Sequence, residues 1–119
     1  MKITIPISVG ELLDKISILS IKSQHTNNEY VKKELKDLIK IAQENQVYDT
    51  SYVSQLLTIN RKLWKVEDDL RILEKSQTFN EEFVELARNV YITNDKRAKI
   101  KKEINEKYNS HYQEVKCYV

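Results

Sequence analysis

The residues of this chain best suited to binding or chemistry are charged and aromatic side chains that recur at helical spacing. In the segment 60–74, Arg71 lies four residues after Glu67 and three after Asp68, and all three share a face with Trp64. If that face is solvated, each ion pair contributes only about 0.3–0.5 kcal/mol to stability. If it packs against a second polar helix, its carboxylates and guanidinium enter a partly buried network. The sequence leaves both interpretations open.

A second polar segment interrupts an otherwise apolar helical stripe. The stripe runs from Phe83 through Ala87 and Val90, and its next positions are the polar residues Asn94 and Lys101. Asn94 falls on the inward side in either helical register. A buried amide is costly unless it is hydrogen-bonded, so it indicates either a register-setting contact or a polar site. The alternative is that this helix extends past the bundle into solvent.

If the two polar faces meet, their cationic side chains converge on one place. Such a cluster between helices could bind a sugar phosphate or a carboxylate. Nucleic acid is an unlikely ligand, since the basic segment 95–102 spreads its charges around the helix and the net charge is only +2. The residues that we predict to bind an anionic ligand are Lys15, Lys22, Arg71, Arg88, Tyr91, Asn94 and Arg97.

The sequence offers few groups for catalysis. His25 and His111 fall in predicted turns or tails, and Cys117 lies in the C-terminal tail. Carboxylate-bridged metal sites in helical bundles use Glu-x-x-His motifs, which do not occur here. We therefore predict no metal and no cofactor, and the sequence assigns no catalytic residue. A weak magnesium alternative would use Asp14, Glu67, Asp68 and Asp95.

The composition favours long helices to position these residues. The 119 residues include one Gly and one Pro, whereas sheets and barrels need many turn glycines. Such a length indicates a single domain, 1–119. Without an apolar run of about 20 residues, no membrane partner is expected. We expect a soluble, cytoplasmic, all-α protein.

Hydrophobic periodicity predicts an antiparallel bundle of about four helices, near 9–24, 28–44, 52–73 and 80–108. The first begins with the capping-box spacing of Ser8 and Glu11. Short extended segments at both termini are candidates for pairing with each other. The predicted core residues are Leu12, Ile16, Leu19, Leu35, Leu38, Leu56, Ile59, Leu63, Val66, Leu70, Phe83, Ala87 and Val90.

The third helix carries a heptad seam from Tyr52 to Leu73. Together with the wide apolar face of the first helix, this seam is more apolar surface than one thin bundle easily covers. We therefore predict a homo-oligomer, most simply a two-fold dimer.

Three segments resemble a known family of short bacterial and phage proteins. They are GELLDKISILSIK (10–22), LWKVEDDLR (63–71) and FVELARNVYITNDKRAKIKKEIN (83–105). The family is a domain of unknown function, so the resemblance implies a compact helical domain and no known activity. It also weakly implies a cell-surface polysaccharide context. The positions that it carries over are Glu11, Asp14, Lys15, Lys22, Trp64, Glu67, Asp68, Arg71, Arg88, Tyr91, Asn94, Asp95 and Arg97.

Two functions follow from these observations. The first is a non-enzymatic interaction or accessory protein, in which the polar faces organise the bundle or bind a protein partner. The alternative is a small-molecule-binding protein or enzyme that takes an anionic ligand between its helices. If the polar faces form one internally satisfied network, replacing Arg71 or Asn94 destabilises the fold. If they line a cleft, the same substitutions are close to neutral or stabilising.

Overall fold

Four α-helices make up the regular structure of residues 1–118, the part of the chain that this computed structural model describes. They are α1 (Val9–His25), α2 (Glu29–Glu44), α3 (Thr50–Lys75) and α4 (Glu81–Lys107). This confirms the predicted all-α bundle. No strand forms within 1–118, so the two terminal segments do not pair as a ladder in the described part of the chain. No helix in that part is long and apolar enough to cross a membrane.

Each helix begins at a residue whose side-chain oxygen accepts a backbone N–H of the first turn. Ser8 accepts from Glu11 at 3.1 Å, as the capping-box spacing predicted. The other caps are Asn28, Asp49 and Asn80. Such a cap typically contributes about 1 kcal/mol. The helix starts are therefore fixed by local sequence.

Three helices end in a left-handed turn formed without glycine. Gln46, Gln77 and Asn109 have φ values of 58°, 55° and 48°. After each of them, the next backbone N–H donates back to the helix, as from Val47 to the Ala42 carbonyl at 2.9 Å. This is the Schellman ending, which usually places glycine at the left-handed position. The pattern explains how a chain with one glycine makes its turns.

Helix α1 is central, since it contacts α2, α3 and α4, while α3 and α4 form a hairpin. Helices α1 and α3 run in the same direction. Asn60 contacts Asp14 midway along α1, and further along Trp64 stacks on His25 with ring centroids 4.6 Å apart. Helix α4 runs antiparallel to both. The α3–α4 hairpin is thus antiparallel, as predicted, whereas α2 packs against α1 and not against α3.

The main core lies where the start of α1 meets α2, the start of α3 and the end of α4. Its buried residues are Leu12, Leu13, Ile16, Ala42, Val53, Leu56 and Ile104. Of the predicted core residues, Leu12, Ile16, Leu19, Leu56, Leu63 and Val66 are buried, and Leu35, Leu38, Ile59, Leu70, Phe83 and Val90 are half-buried.

The prediction for Ala87 is wrong, because this residue is exposed. Helix α1 ends at His25, which stacks on Trp64, whereas α3 continues through 65–75. That stretch is about 16 Å of helix. The far end of the α3–α4 hairpin consequently has no third helix over it, and Ala87 lies there.

The single glycine lets α1 and α4 approach each other closely. A Cβ atom at Gly10 would lie 2.7 Å from the Lys101 carbonyl oxygen and 2.9 Å from Asn105 Oδ1. The Gly10 N–H donates to that Asn105 oxygen at 2.7 Å. Both groups are buried, so the contact fixes the distance between the two helices.

Gly10→Ala should destabilise the protein even though alanine is the better helix former. The helix-propensity gain is at most about 1 kcal/mol, while forcing a methyl group against a backbone oxygen costs about 1–3 kcal/mol and breaks the Asn105 contact. Urea unfolding measures the difference. An Ala variant as stable as the wild type would mean that α1 and α4 can separate freely.

Asp49 ties the start of α3 to the end of α4. Its Oδ2 accepts from Lys107 Nζ and from the Tyr108 hydroxyl, both at 2.7 Å. The hydrogen bonds from Lys107 and Tyr108 lower the pKa of Asp49 from 3.8 to about 2. The ionised carboxylate is therefore favoured in the folded state.

Asp49→Asn keeps a competent N-cap and removes only the charge. Because the folded-state pKa lies below the unfolded value, the stability contributed by Asp49 is complete above about pH 4 and is lost as the pH falls towards 2. We expect the wild type to be more stable than the variant at pH 6, and the gap to narrow below pH 4. Urea midpoints at each pH test this; a gap independent of pH would contradict it.

Candidate ligand-binding cleft

A buried carboxylate lies where α1, α3 and α4 meet. Asp14 has no exposed surface. The Arg97 guanidinium donates to it from Nη2 at 2.6 Å and from Nε at 3.1 Å to each carboxylate oxygen. The Arg97 side chain is 26% exposed, so one edge of the guanidinium reaches the surface. A planar fork of donors matches a carboxylate in this way, which lysine could not do.

Helix α3 completes the hydrogen bonding of this carboxylate. Asn60 Nδ2 donates to Asp14 Oδ1 at 2.9 Å and to Ser17 Oγ at 2.8 Å. The Ser17 hydroxyl in turn donates to the Asp14 carbonyl at 2.7 Å. The buried charge is thus paired and its oxygens are occupied, which is the condition under which such burial is tolerated.

A second buried charge lies one helical turn away on α4. Lys101 donates to Glu11 at 2.8 Å and to Glu114 at 2.9 Å, and its side chain is only 7% exposed. Burial alone would lower the pKa of Lys101, but the hydrogen bonds to Glu11 and Glu114 raise it overall. Hydrogen bonds from Lys116 and Lys101 lower the pKa of Glu114 to about 2. Through Glu114, the C-terminal segment is attached beside α4.

Next to the Asp14–Arg97 pair, a cleft of about 430 Å³ opens between α1, α3 and α4. At this level the end of α1 lies against α3, where His25 stacks on Trp64. Apolar and polar side chains share its walls. The lining residues are Ile18, Ile21, Asn60, Leu63, Trp64, Glu67, Asp68, Arg71, Asn94 and Arg97.

The structure brings together three of the seven predicted ligand-binding residues. Arg71, Asn94 and Arg97 line the cleft. Asn94 is half-buried and accepts from Arg97 Nη1 at 3.3 Å, so the inward position expected for it is observed. The polar strip predicted on α3 lines the same cleft through Asn60 and Trp64.

The other four predicted residues are exposed and do not line the cleft: Lys15, Lys22, Arg88 and Tyr91. On α4, each step of three residues rotates about 60° around the helix. Tyr91 therefore lies about 60° from Asn94, and Arg88 about 120°. On α1, Lys15 and Lys22 each follow an inward residue and are turned about 100° away from it.

The ion-pair ladder expected along α3 does not form. Across residues 1–118, Glu67, Asp68 and Arg71 make no ion pair within 4.0 Å and no side-chain hydrogen bond. The buried network consists instead of Asp14, Ser17, Asn60, Asn94 and Arg97, so Arg71 lies outside it. Replacing Arg71 is accordingly expected to leave the stability of the single chain almost unchanged, which corrects the network interpretation for this residue.

The described residues do not assemble the acidic groups of the magnesium alternative. Asp14 is occupied by Arg97, and Asp95 is exposed. Among residues 1–118, no three His, Cys, Asp or Glu side chains come together in a way that could hold a metal ion.

The whole chain, residues 1–119, matches the sequence model of DUF6165, a family of unknown function. The chain belongs to this family. The match confirms the resemblance to a domain of unknown function. Neither the curated proteins nor the solved structures contain a match. The geometry of the cleft is therefore the basis for assigning a function to this DUF6165 member.

Sequence reasoning gave Ser17 and Lys101 no site role, and it placed Asp14 only in the magnesium alternative and the resemblance. In the sequence, these three residues have one feature in common: each is a polar residue on a helix face that is otherwise apolar. Asp14 directly follows the buried Leu13, Ser17 directly follows the buried Ile16, and Lys101 precedes Ile104 by three positions. Such residues need a partner on a facing helix, and only the packing of α1 against α3 and α4 identifies that partner.

Asp14→Ala should destabilise the protein by about 3 kcal/mol, because it leaves Arg97 partly buried without a counter-ion. The matched control is Asp69→Ala, which removes an exposed pair with Lys65 and should cost less than about 1 kcal/mol. Urea unfolding at equal protein concentration gives both values. Equal losses in the two variants would mean that the Asp14–Arg97 pair does not hold the helices together.

Proposed function

We propose that the chain is a binding protein for a small, hydroxyl-rich ligand that carries an anionic group, such as a sugar phosphate or a sugar carboxylate. One observation carries the proposal. Arg71 lines the same cleft as Arg97, and neither it nor the neighbouring Glu67 and Asp68 has an ion-pair partner within residues 1–118. The cleft thus presents charged donors and acceptors that a ligand can satisfy.

Arg97 supplies a donor whose orientation is fixed before binding. Asp14 holds the Nε and Nη2 edge, and the remaining contact to Asn94 is long, at 3.3 Å. A guanidinium fixed in this way loses little conformational freedom when it binds an anion. Arg71 adds a second guanidinium, and two such groups suit a phosphate or carboxylate.

The carboxylates of the cleft narrow the class of ligand. Glu67 and Asp68 only accept hydrogen bonds when ionised, so a bare anion would leave them unsatisfied and would be repelled. Hydroxyl groups can donate to them. Trp64, Ile18 and Leu63 provide an apolar wall of the kind that orients a ring in small-molecule sites. A sugar that bears one anionic group matches the guanidiniums through that group, the carboxylates through its hydroxyls and the apolar wall through its ring.

A sugar-derived ligand also agrees with the cell-surface polysaccharide context that the resemblance implies. The other hypothesis, a non-enzymatic interaction or accessory protein, is favoured by a separate feature, the uncovered far end of the α3–α4 hairpin. The two surfaces adjoin and share Glu67 and Arg71. A guanidinium has five N–H donors, so Arg71 can bind on both sides at once.

Thermal unfolding in the presence of candidate ligands tests the proposal, because a ligand that binds the folded state raises Tm. We expect sugar phosphates or sugar carboxylates to raise Tm, and inorganic phosphate at the same concentration to leave it unchanged. Arg71→Ala should weaken binding about 10- to 100-fold, the effect of losing about 1.5–3 kcal/mol of charged hydrogen bonding. At a protein concentration at which both proteins are monomeric, its Tm without ligand should equal that of the wild type.

Arg88→Ala is the matched control, since Arg88 is an exposed arginine outside the cleft. It should bind as the wild type does. A panel of sugar phosphates and sugar carboxylates with no effect on Tm would contradict the proposal. Equal losses in the Arg71 and Arg88 variants would also contradict it, because binding would then depend on overall charge and not on the cleft.

A further inference from the structure

We propose that a second copy of this chain packs on the far end of the α3–α4 hairpin and forms a two-fold dimer there. The surface is a groove of about 390 Å³ with an apolar floor of Leu70, Phe83, Ala87 and Val90, which we call the distal groove. It adjoins the ligand cleft and shares Glu67 and Arg71 with it, whereas its apolar floor residues do not line the cleft.

The distal groove continues the face that α1 covers elsewhere on the hairpin. The buried Leu63 and the half-buried Leu70 lie seven residues apart, so they occupy the same side of α3. Leu63 is covered, whereas Leu70 is only half-buried, because α1 ends at His25 beside Trp64 and Asp68. The exposure of Ala87 on α4 has the same cause. At this end of the α3–α4 hairpin, an apolar face of the kind that forms a core is therefore not covered by any further helix of the described chain.

No described segment of the same chain can fill the groove. Helix α1 ends at His25 and the chain turns back into α2. The C-terminal segment is attached at Lys101, towards the opposite end of α4. The N-terminal segment precedes α1 at that same opposite end, where Val9 N–H donates to Ser110 Oγ. The occupant must therefore come from another molecule.

Charges along the groove identify a second copy as the matching occupant. Glu67, Arg71 and Glu74 line one side at i, i+4 and i+7, and none forms an ion pair within residues 1–118. In an antiparallel two-fold contact, a dyad between 67 and 71, or between 71 and 74, places Arg71 of each copy opposite a glutamate of the other. Two reciprocal pairs result, as an isologous interface requires.

The tip of the hairpin adds apolar surface to the same end. Phe79 is 56% exposed and contacts Phe83 edge to face, with centroids 5.2 Å apart. When two hairpins meet through their distal grooves, four helices surround one apolar centre. This is the arrangement in which helical hairpins bury both faces of their seam.

Analytical ultracentrifugation at tens of micromolar should give a mass twice the 14.1 kDa of the chain.

Ala87→Glu places a charge in the groove. Because Ala87 is exposed in the single chain, the variant should still fold. Its dimer dissociation constant should rise at least 100-fold. The control is Ile72→Glu. Ile72 is 64% exposed and lies about 200° around α3 from Leu70, and this variant should stay dimeric. A monomeric wild type would overturn the proposal, as would a monomeric Ile72→Glu beside a dimeric Ala87→Glu.

Charge reversal tests the partner's identity. Arg71→Glu should dissociate the dimer, because three acidic side chains then line each groove. Adding Glu67→Arg and Glu74→Arg to that variant restores complementarity in either register, so the triple variant should dimerise again. Circular dichroism confirms that each variant is helical. A triple variant that is folded but monomeric would show that the charges do not pair between copies, and the dimer as proposed would be wrong.

Discussion

The burial of the Asp14 carboxylate is the constraint on which the rest of the structure depends. A carboxylate with no exposed surface has to receive hydrogen bonds on both oxygens, and here they come from two helices, through Asn60 of α3 and Arg97 of α4. This requirement fixes the rotation of all three helices about their axes at one level. Apolar packing alone would specify that rotation less sharply, because leucine and isoleucine tolerate small shifts. The cleft lies beside this point, so its walls are held by the same contacts.

The helices and most of the core were predictable because their signals are local. A capping residue such as Ser8 and an apolar period of three and four residues need no knowledge of the neighbours. The inward position of Asn94 was predictable for the same reason. Which charged residues share the cleft was not, because the answer depends on how α1 is tilted between α3 and α4. Arg88 and Tyr91 fit a sequence spacing, yet a helix rotates them out of the cleft.

The two polar regions of the molecule differ in how their charges are satisfied. Around Asp14 and Lys101, buried charges have partners at 2.6–2.9 Å. Around Glu67 and Arg71, charged groups share a cleft without pairing in the described chain. The first arrangement contributes to stability and resists substitution. The second contributes little to stability, and it leaves these side chains able to form hydrogen bonds with another molecule. Substitutions in the two regions should therefore affect different measurable properties.

The glycine-free turns have a consequence for the energy of the native state. Gln46, Gln77 and Asn109 each adopt a left-handed backbone that costs a residue with a side chain roughly 1 kcal/mol relative to glycine. The cost is lower for asparagine than for glutamine, because the short amide side chain of asparagine can form a hydrogen bond with the nearby backbone. Replacing either glutamine by glycine would remove this cost and stabilise the protein at the end of α2 or α3, outside the Asp14 network. A more heat-resistant form of this fold can be reached by changing only those turns, with the cleft and the distal groove left intact.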